Sequence, residues 1–172
     1  MVAFAQQVPR PAGEFAISTT NGKQILLSQY AGKVVVLAFM FTTCPHCQHT
    51  SQILSKIQND LGGQGLQILG SFFNDNAAFL VPGFVTQFQP AFPVGYATRD
   101  QVNDYLEHAP GKPTYVPELV FIDRNRQIRG QYTGNDDFFK DQETSIRNFT
   151  EMLLKEPATA KKGSHSSHRK QS

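Results

Sequence analysis

The sequence predicts an α/β fold in which a central mixed β-sheet is flanked by helices. Three observations carry that prediction. The first is a continuous apolar run from Val34 to Phe41, rich in β-branched and aromatic residues, which reads as a strand buried on both faces. The second is a change of period after it: Ile53, Leu54, Ile57 and Leu61 share one face of a helical repeat, and Leu66 to Phe73 is again apolar on both faces. Strand, helix and strand in that order make a right-handed unit with a parallel pair. The third is the block from Glu118 to Asp123, a strongly apolar strand followed by a turn at Arg124 to Arg126 and a partner strand from Gln127 to Tyr132.

The remaining elements follow in chain order. Phe15 to Leu27 reads FAISTTNGKQILL, two short segments around Asn21-Gly22, a strong hairpin signal. Ser28 to Gly32 makes a short turn or helix before the central strand. Asn74 to Lys112 is a strand–helix insertion: a helix from Ala77 to Phe88 broken near Pro82-Gly83, a short strand from Phe92 to Ala97, and a helix from Arg99 to His108 capped by Thr98 or Asp100. Val116-Pro117 enters the next strand, and because proline cannot donate to a ladder it marks the strand's start, with a cis bond expected. Asp141 to Lys155 is the last helix, with Ile146, Phe149, Met152 and Leu153 as its apolar stripe. Phe72, Phe73, Phe79, Phe84 and Phe88 read as core, with lining of a substrate groove as their other role.

Composition bounds the rest. A chain of 172 residues buries a core without staples. The organisation reads as an N-terminal extension over residues 1–12, one domain over 13–156 and a polar, disordered basic tail over 157–172. The net charge of +2 arises in that tail, from Lys161, Lys162, Arg169 and Lys170; without them the body has 12 basic against 14 acidic residues and no nucleic-acid footprint. Ala3-Phe4-Ala5 has the small-x-small form of a leader-cleavage site and reads as a signal-peptide remnant, so export is expected.

The chemistry concentrates at Cys44-Pro45-His46-Cys47, which holds both cysteines of the chain where a buried strand hands over to a helix. A helix N-terminus carries unpaired N–H groups and the positive end of the macrodipole, which stabilise a thiolate. Cys44, at the first turn, is therefore expected to have a lowered pKa and to be the nucleophile. Pro45 suits an early helical position, and His46 adds a positive charge or a donor beside the sulfur. Cys47, one turn deeper, is the expected resolving thiol. An i, i+3 disulfide closes too short a loop to stabilise much through chain entropy, which favours a redox role over a structural one.

On these residues the chain resembles the thioredoxin superfamily from about Phe15 to Leu154, and within it the exported TlpA/ResA-like and cytochrome c maturation group. The resemblance rests on the hairpin leading through Tyr30-Ala31-Gly32-Lys33, the C-x-x-C at the strand–helix junction, the mid-chain insertion and the Val116-Pro117 strand entry. It implies a thioredoxin-like fold and a thiol–disulfide oxidoreductase of the bacterial periplasm or cell envelope. It also implies a cis Pro117 facing the cysteines, and a Val116 backbone that pairs with a substrate strand. No cofactor beyond the redox-active disulfide is implied. The implied partners are protein thiols and disulfides and a redox partner, with a membrane-bound one in view, and the chain is expected to be a monomer. Three positions depart from the pattern: Thr43 stands where Trp is usual, Ala38 where thioredoxin buries a carboxylate, and Thr50 where ResA-like proteins carry Glu. Glu118 is then the candidate proton acceptor, as cytochrome-maturation thioredoxins also have Pro-Glu there. Pro45-His46 instead resembles the pair in the oxidant DsbA.

Two other functions fit parts of the sequence. A copper- or zinc-handling chaperone on the same fold would use Cys44 and Cys47 with His49, or with His46 and His49 together as a Cys2His2 set. A thiol peroxidase would need Pro at position 37 and Thr at 41 in its P-x-x-x-T-x-x-C motif, and this chain has Leu37 and Phe41. His108 reads as a polar helix end, and His165 and His168 as part of the solvated tail.

Overall fold

The computed structural model describes residues 7–159 and has a thioredoxin-like fold. Eight strands form one sheet: β1 (Arg10–Pro11), β2 (Ala16–Ser18), β3 (Gln24–Leu26), β4 (Val34–Met40), β5 (Leu66–Phe72), β6 (Val94–Tyr96), β7 (Glu118–Ile122) and β8 (Gln127–Tyr132), in the order β1-β8-β7-β4-β5-β6-β2-β3. Four helices cover it, α1 (Pro45–Leu61), α2 (Ala77–Phe88), α3 (Arg99–Tyr105) and α4 (Gln142–Lys155).

The organising strand is β4. All seven of its residues are buried, and it pairs parallel with β5 and antiparallel with β7. Its alternation divides the interior in two. Val34, Val36, Ala38 and Met40 join the core under α1, α2 and α4, with Leu54, Ile57, Phe84, Ile146 and Leu153. Val35, Leu37 and Phe39 join the opposite core with Phe15, Ile17, Val102 and Leu106. On that side Phe39 sits 5.2 Å from Phe15, ring centre to ring centre, in an edge-on contact. The passage β4-α1-β5 connects parallel neighbours as expected, and β5-α2-β6 does so as well.

Several expectations are corrected. The helix at Ala77–Phe88 is continuous, with Pro82 inside it. Pro82 and Gly83 are exposed while Ala77, Val81 and Phe84 are buried, so the apolar stripe holds the helix together. Phe79 is not core: it is 85% exposed. In α4 the buried positions are Gln142, Ile146, Thr150 and Leu153, whereas Met152 lies off that stripe and is exposed. Residues 1–12, read as an extension, contribute Arg10–Pro11 to the sheet edge against β8; a two-residue strand has too little periodicity to be read from sequence. At the other end of the body, Thr159 donates its N–H to Asn125 Oδ1 at 2.9 Å. The expected leader remnant and the remainder of the basic tail, with His165 and His168, lie outside the described residues.

Candidate active site

The site is built where β4 runs out. After Met40 the chain turns through Phe41, Thr42 and Thr43, and Cys44 becomes the N-cap of α1 with Pro45 as its first residue. Cys44 takes the extended backbone of an N-cap, and its sulfur accepts a hydrogen bond from the Cys47 backbone N–H at 3.3 Å. The Gln48 N–H donates to the Cys44 carbonyl at 3.0 Å, the first regular helical bond. One of the donors that a helix start leaves unpaired is therefore aimed at the sulfur.

The turn is also fastened from outside. Asn74, at the end of β5, accepts from the Thr42 N–H at 2.8 Å and donates to Thr42 Oγ1 at 3.0 Å. Gln48 reaches back from α1 and donates to the Thr42 carbonyl at 3.0 Å. Neither Asn74 nor Gln48 was singled out from sequence. An Asn directly after a buried strand is the one available signal, and it does not say which loop it will hold.

The two thiols differ in surroundings, and both are free. Cys44 is half-buried; Cys47 is completely buried in the core beneath α1. That burial is the main reason the Cys47 thiol is pushed far above its ordinary range, and the neighbouring Cys44 adds to the effect. Cys47 therefore keeps its proton in the dithiol form. Pro45, His46 and His49 are exposed, and the His46 ring lies edge-on to Phe139 with 5.9 Å between centres. Among the described residues, no three His, Cys, Asp or Glu side chains gather as a metal ion would need.

Strand register brings the second predicted segment to the same place. Phe39 pairs with Glu118, so the antiparallel continuation lays Pro117 and Val116 beside Met40 and Phe41, at the root of the Cys44 turn. The Val116–Pro117 bond is cis, as expected; Pro117 is buried and Val116 packs against both cores. Gly134 lies directly behind this peptide. A Cβ there would come within 2.6 Å of the Val116 carbonyl oxygen, so only glycine leaves the segment where it is.

Glu118 is placed differently from its predicted role. Its partner Phe39 belongs to the core on the α3 side, whereas Cys47 belongs to the core under α1, so the sheet separates the carboxylate from the thiol. Glu118 is completely buried and has its own partners: Gln131 Nε2 donates to Oε1 at 2.8 Å, and His108 Nε2 lies 3.1 Å from Oε1 and 2.9 Å from Oε2. Burial raises its pKa, opposed chiefly by His108. The side-chain partners of Glu118 are Gln131 and His108, and His108, read as a helix end, is the residue sequence reasoning missed. The other departures are structural substitutions. Ala38 is core, Thr43 is exposed, and the buried Thr50 donates to Gln142 Oε1 at 2.7 Å, tying α1 to α4.

Comparison with known proteins gives the family and the likeness of fold. Residues 8–131 match the model of the AhpC/TSA family. The thiol-disulfide oxidoreductase ResA of Geobacillus kaustophilus (strain HTA426) is 27% identical over 130 residues, covering 76% of this chain and 71% of that protein. ResA of Halalkalibacterium halodurans is 26% identical over 157 residues, 89% of this chain and 83% of that protein. Among solved structures, a thiol:disulfide interchange protein from Chlorobium tepidum TLS superposes with a TM-score of 0.71 at 22% identity, covering 87% of this chain and 99% of that one, a likeness of fold.

Proposed function

The chain belongs to the AhpC/TSA family, and on that footing we propose that it is a thiol–disulfide oxidoreductase that exchanges its Cys44–Cys47 pair with protein substrates in the cell envelope. One observation carries the reading: a half-buried sulfur at a helix N-cap receives the N–H of a second, fully buried cysteine one turn on. The named activity of the ResA relatives is the same.

In the reducing direction, the Cys44 thiolate attacks one sulfur of a substrate disulfide. The substrate S–S bond breaks, the released substrate thiolate takes up a proton, and Cys44 is left in a mixed disulfide. Cys47 then loses its proton to solvent or to the leaving thiolate and attacks Cys44 Sγ. The second substrate thiol departs, and the chain ends as the Cys44–Cys47 disulfide, having passed on two electrons. The oxidising direction is the same sequence reversed. The dithiol itself holds the electrons, so the step needs no organic cofactor. The resting dithiol is guarded by its own asymmetry, because the buried Cys47 stays protonated until an attack on Cys44 has begun.

The other residues serve this exchange. Pro45 and His46 tune the sulfur from the first turn of α1. Val116 offers backbone to an extended substrate, and Pro117 holds that segment beside the turn. Pro117-Glu118 favours a reductant and Pro45-His46 a DsbA-like oxidant, so the potential of the pair decides the direction. The envelope location and a membrane-bound redox partner rest on the resemblance to exported thioredoxin-like proteins. No helix among the described residues is long and apolar enough to cross a membrane. The metal-chaperone alternative has no gathered ligand set among the described residues, and the peroxidase alternative lacks its Pro and Thr at Leu37 and Phe41.

The test is a pair of substitutions. Cys44→Ser should lower turnover of a protein disulfide by at least about a thousandfold, the scale on which nucleophile loss acts. Cys47→Ser should accumulate a mixed disulfide visible as a mass increase on Cys44. Wild-type turnover in both variants would end this reading.

A further inference from the structure

Cys47 must lose its proton before it can resolve a mixed disulfide, and burial holds that proton on. Ala38 and Thr50 bring no carboxylate to take it. The largest influence favouring the Cys47 thiolate is a hydrogen bond from the backbone of Phe41, the first residue after β4. The same residue anchors the other cysteine, since the Phe41 carbonyl accepts from the Cys44 N–H at 3.3 Å. The turn from Phe41 to Thr43 thus presents backbone to both cysteines.

Three side-chain hydrogen bonds hold that turn, and all end on the buried Thr42. Asn74 Oδ1 accepts from the Thr42 N–H at 2.8 Å, and Asn74 Nδ2 donates to Thr42 Oγ1 at 3.0 Å. Gln48 Nε2 donates to the Thr42 carbonyl at 3.0 Å. The N–H, hydroxyl and carbonyl of one residue are each taken up by a side chain. Asn74 is itself fixed on both sides: its carbonyl accepts from the Ala77 N–H at 3.1 Å, and the preceding Phe73 N–H donates to the Met40 carbonyl at 3.2 Å. Cys44, by contrast, has a donor that belongs to α1, the Cys47 N–H, and does not depend on the turn.

Resting on the thiol–disulfide reading above, we propose that Asn74 is a positioning residue for the resolving step. By holding Thr42 it keeps the Phe41 backbone aimed at the Cys47 sulfur during attack on Cys44, and Gln48 assists from α1. In that step the Cys47 thiolate bonds to Cys44 Sγ, the mixed disulfide breaks, and the departing sulfur leaves as a thiolate with the bonding pair. The Cys47 proton has gone to solvent. A hydrogen bond to the attacking sulfur is directional, so a loosened turn weakens it and slows this step. The first attack, by Cys44, keeps its helical donor and is spared.

The experiment mixes the full reduced chain with equimolar dithiobis(nitrobenzoate), an aromatic disulfide, in a stopped-flow spectrometer. Attack by Cys44 releases one coloured thiolate, and resolution by Cys47 releases the second, so the two steps appear as two absorbance phases. Asn74→Leu should slow the second phase at least about tenfold and the first less than about twofold. It should also move the pH profile of the second phase upward. Gln48→Leu, which leaves β5 and its loop untouched, should slow the second phase in the same sense by about threefold. The double variant should fall short of the product of the two effects, because both act through Thr42. Thr42→Ser, which keeps every bonding atom, should match the wild type. An unchanged ratio of the two rates in Asn74→Leu and Gln48→Leu would overturn the proposal and leave the oxidoreductase reading standing. Equal slowing of both phases together with a lowered melting temperature would also overturn it, by giving Asn74 a structural role alone. A wild-type chain that stops at the mixed disulfide would end both readings.

Discussion

Two polar sites lie on opposite faces of the same strands, and the chain solves burial differently in each. On the α1 side, Cys44 and Cys47 are three residues apart, and the bond between them runs from backbone to sulfur. On the α3 side, Glu118 is held by Gln131 and His108, while Gln131 also accepts from Arg10 at 2.6 Å and His108 lies 3.3 Å from Asn103 Oδ1. That second set draws on β1, α3 and its end, β7 and β8. The Cys44 sulfur is satisfied by the helix start it already caps. A buried carboxylate needs donors, and they must come from wherever the fold brings them. The first site is local and chemically poised; the second is assembled and holds elements together.

This contrast is open to attack at several strengths. The largest expected effect after loss of a cysteine is His108→Ala, which leaves the buried carboxylate without its strongest opposing charge. It should cost about 3–5 kcal/mol in denaturant unfolding, the usual result of breaking a buried pair. A loss below about 1 kcal/mol would mean that Glu118 is already neutral and satisfied by Gln131 alone.

Glu118→Gln sharpens the point through pH. A carboxyl whose pKa is raised above 4.5 in the folded state binds its proton more tightly there than in the unfolded chain. Its contribution is present at low pH and is lost as pH rises through the folded value. Wild type should therefore lose thermal stability relative to Glu118→Gln as pH climbs from about 4.5. Parallel melting-temperature curves between pH 4 and 8 would show that Glu118 titrates alike in both states. The smallest effect belongs to the α1 side. Thr50→Val removes the bond to Gln142 and should cost about 0.5–1.5 kcal/mol in the same assay, with exchange activity retained.

The same contrast explains what was legible in the sequence. The apolar runs of β4 and β5, the helix after Cys44 and the Asn21-Gly22 hairpin are patterns over neighbouring residues, and each stands where it was read. Cys44, Cys47 and the cis Val116–Pro117 entry were legible for the same reason. Their proximity followed from the β4–β7 register, which the continuous apolar run from Leu119 to Ile122 does not set. Glu118 was found, but its partners were not, because which face a side chain takes depends on a one-residue register. His108, Gln131 and Arg10 carry no local signal, and they matter only once distant elements meet. Pro82 was read as a break because local propensity ignores the three buried side chains that hold α2 in place.

The most direct test of the central claim is a redox titration of the purified chain in glutathione buffers, with free thiols alkylated and each cysteine counted by mass. The account predicts one two-electron transition in which Cys44 and Cys47 are oxidised together to an intramolecular disulfide. A midpoint near roughly −270 mV would make the chain a reductant, and one near roughly −120 mV an oxidant. Cysteines that stay reduced across the whole range, or take up glutathione independently of each other, would contradict the account.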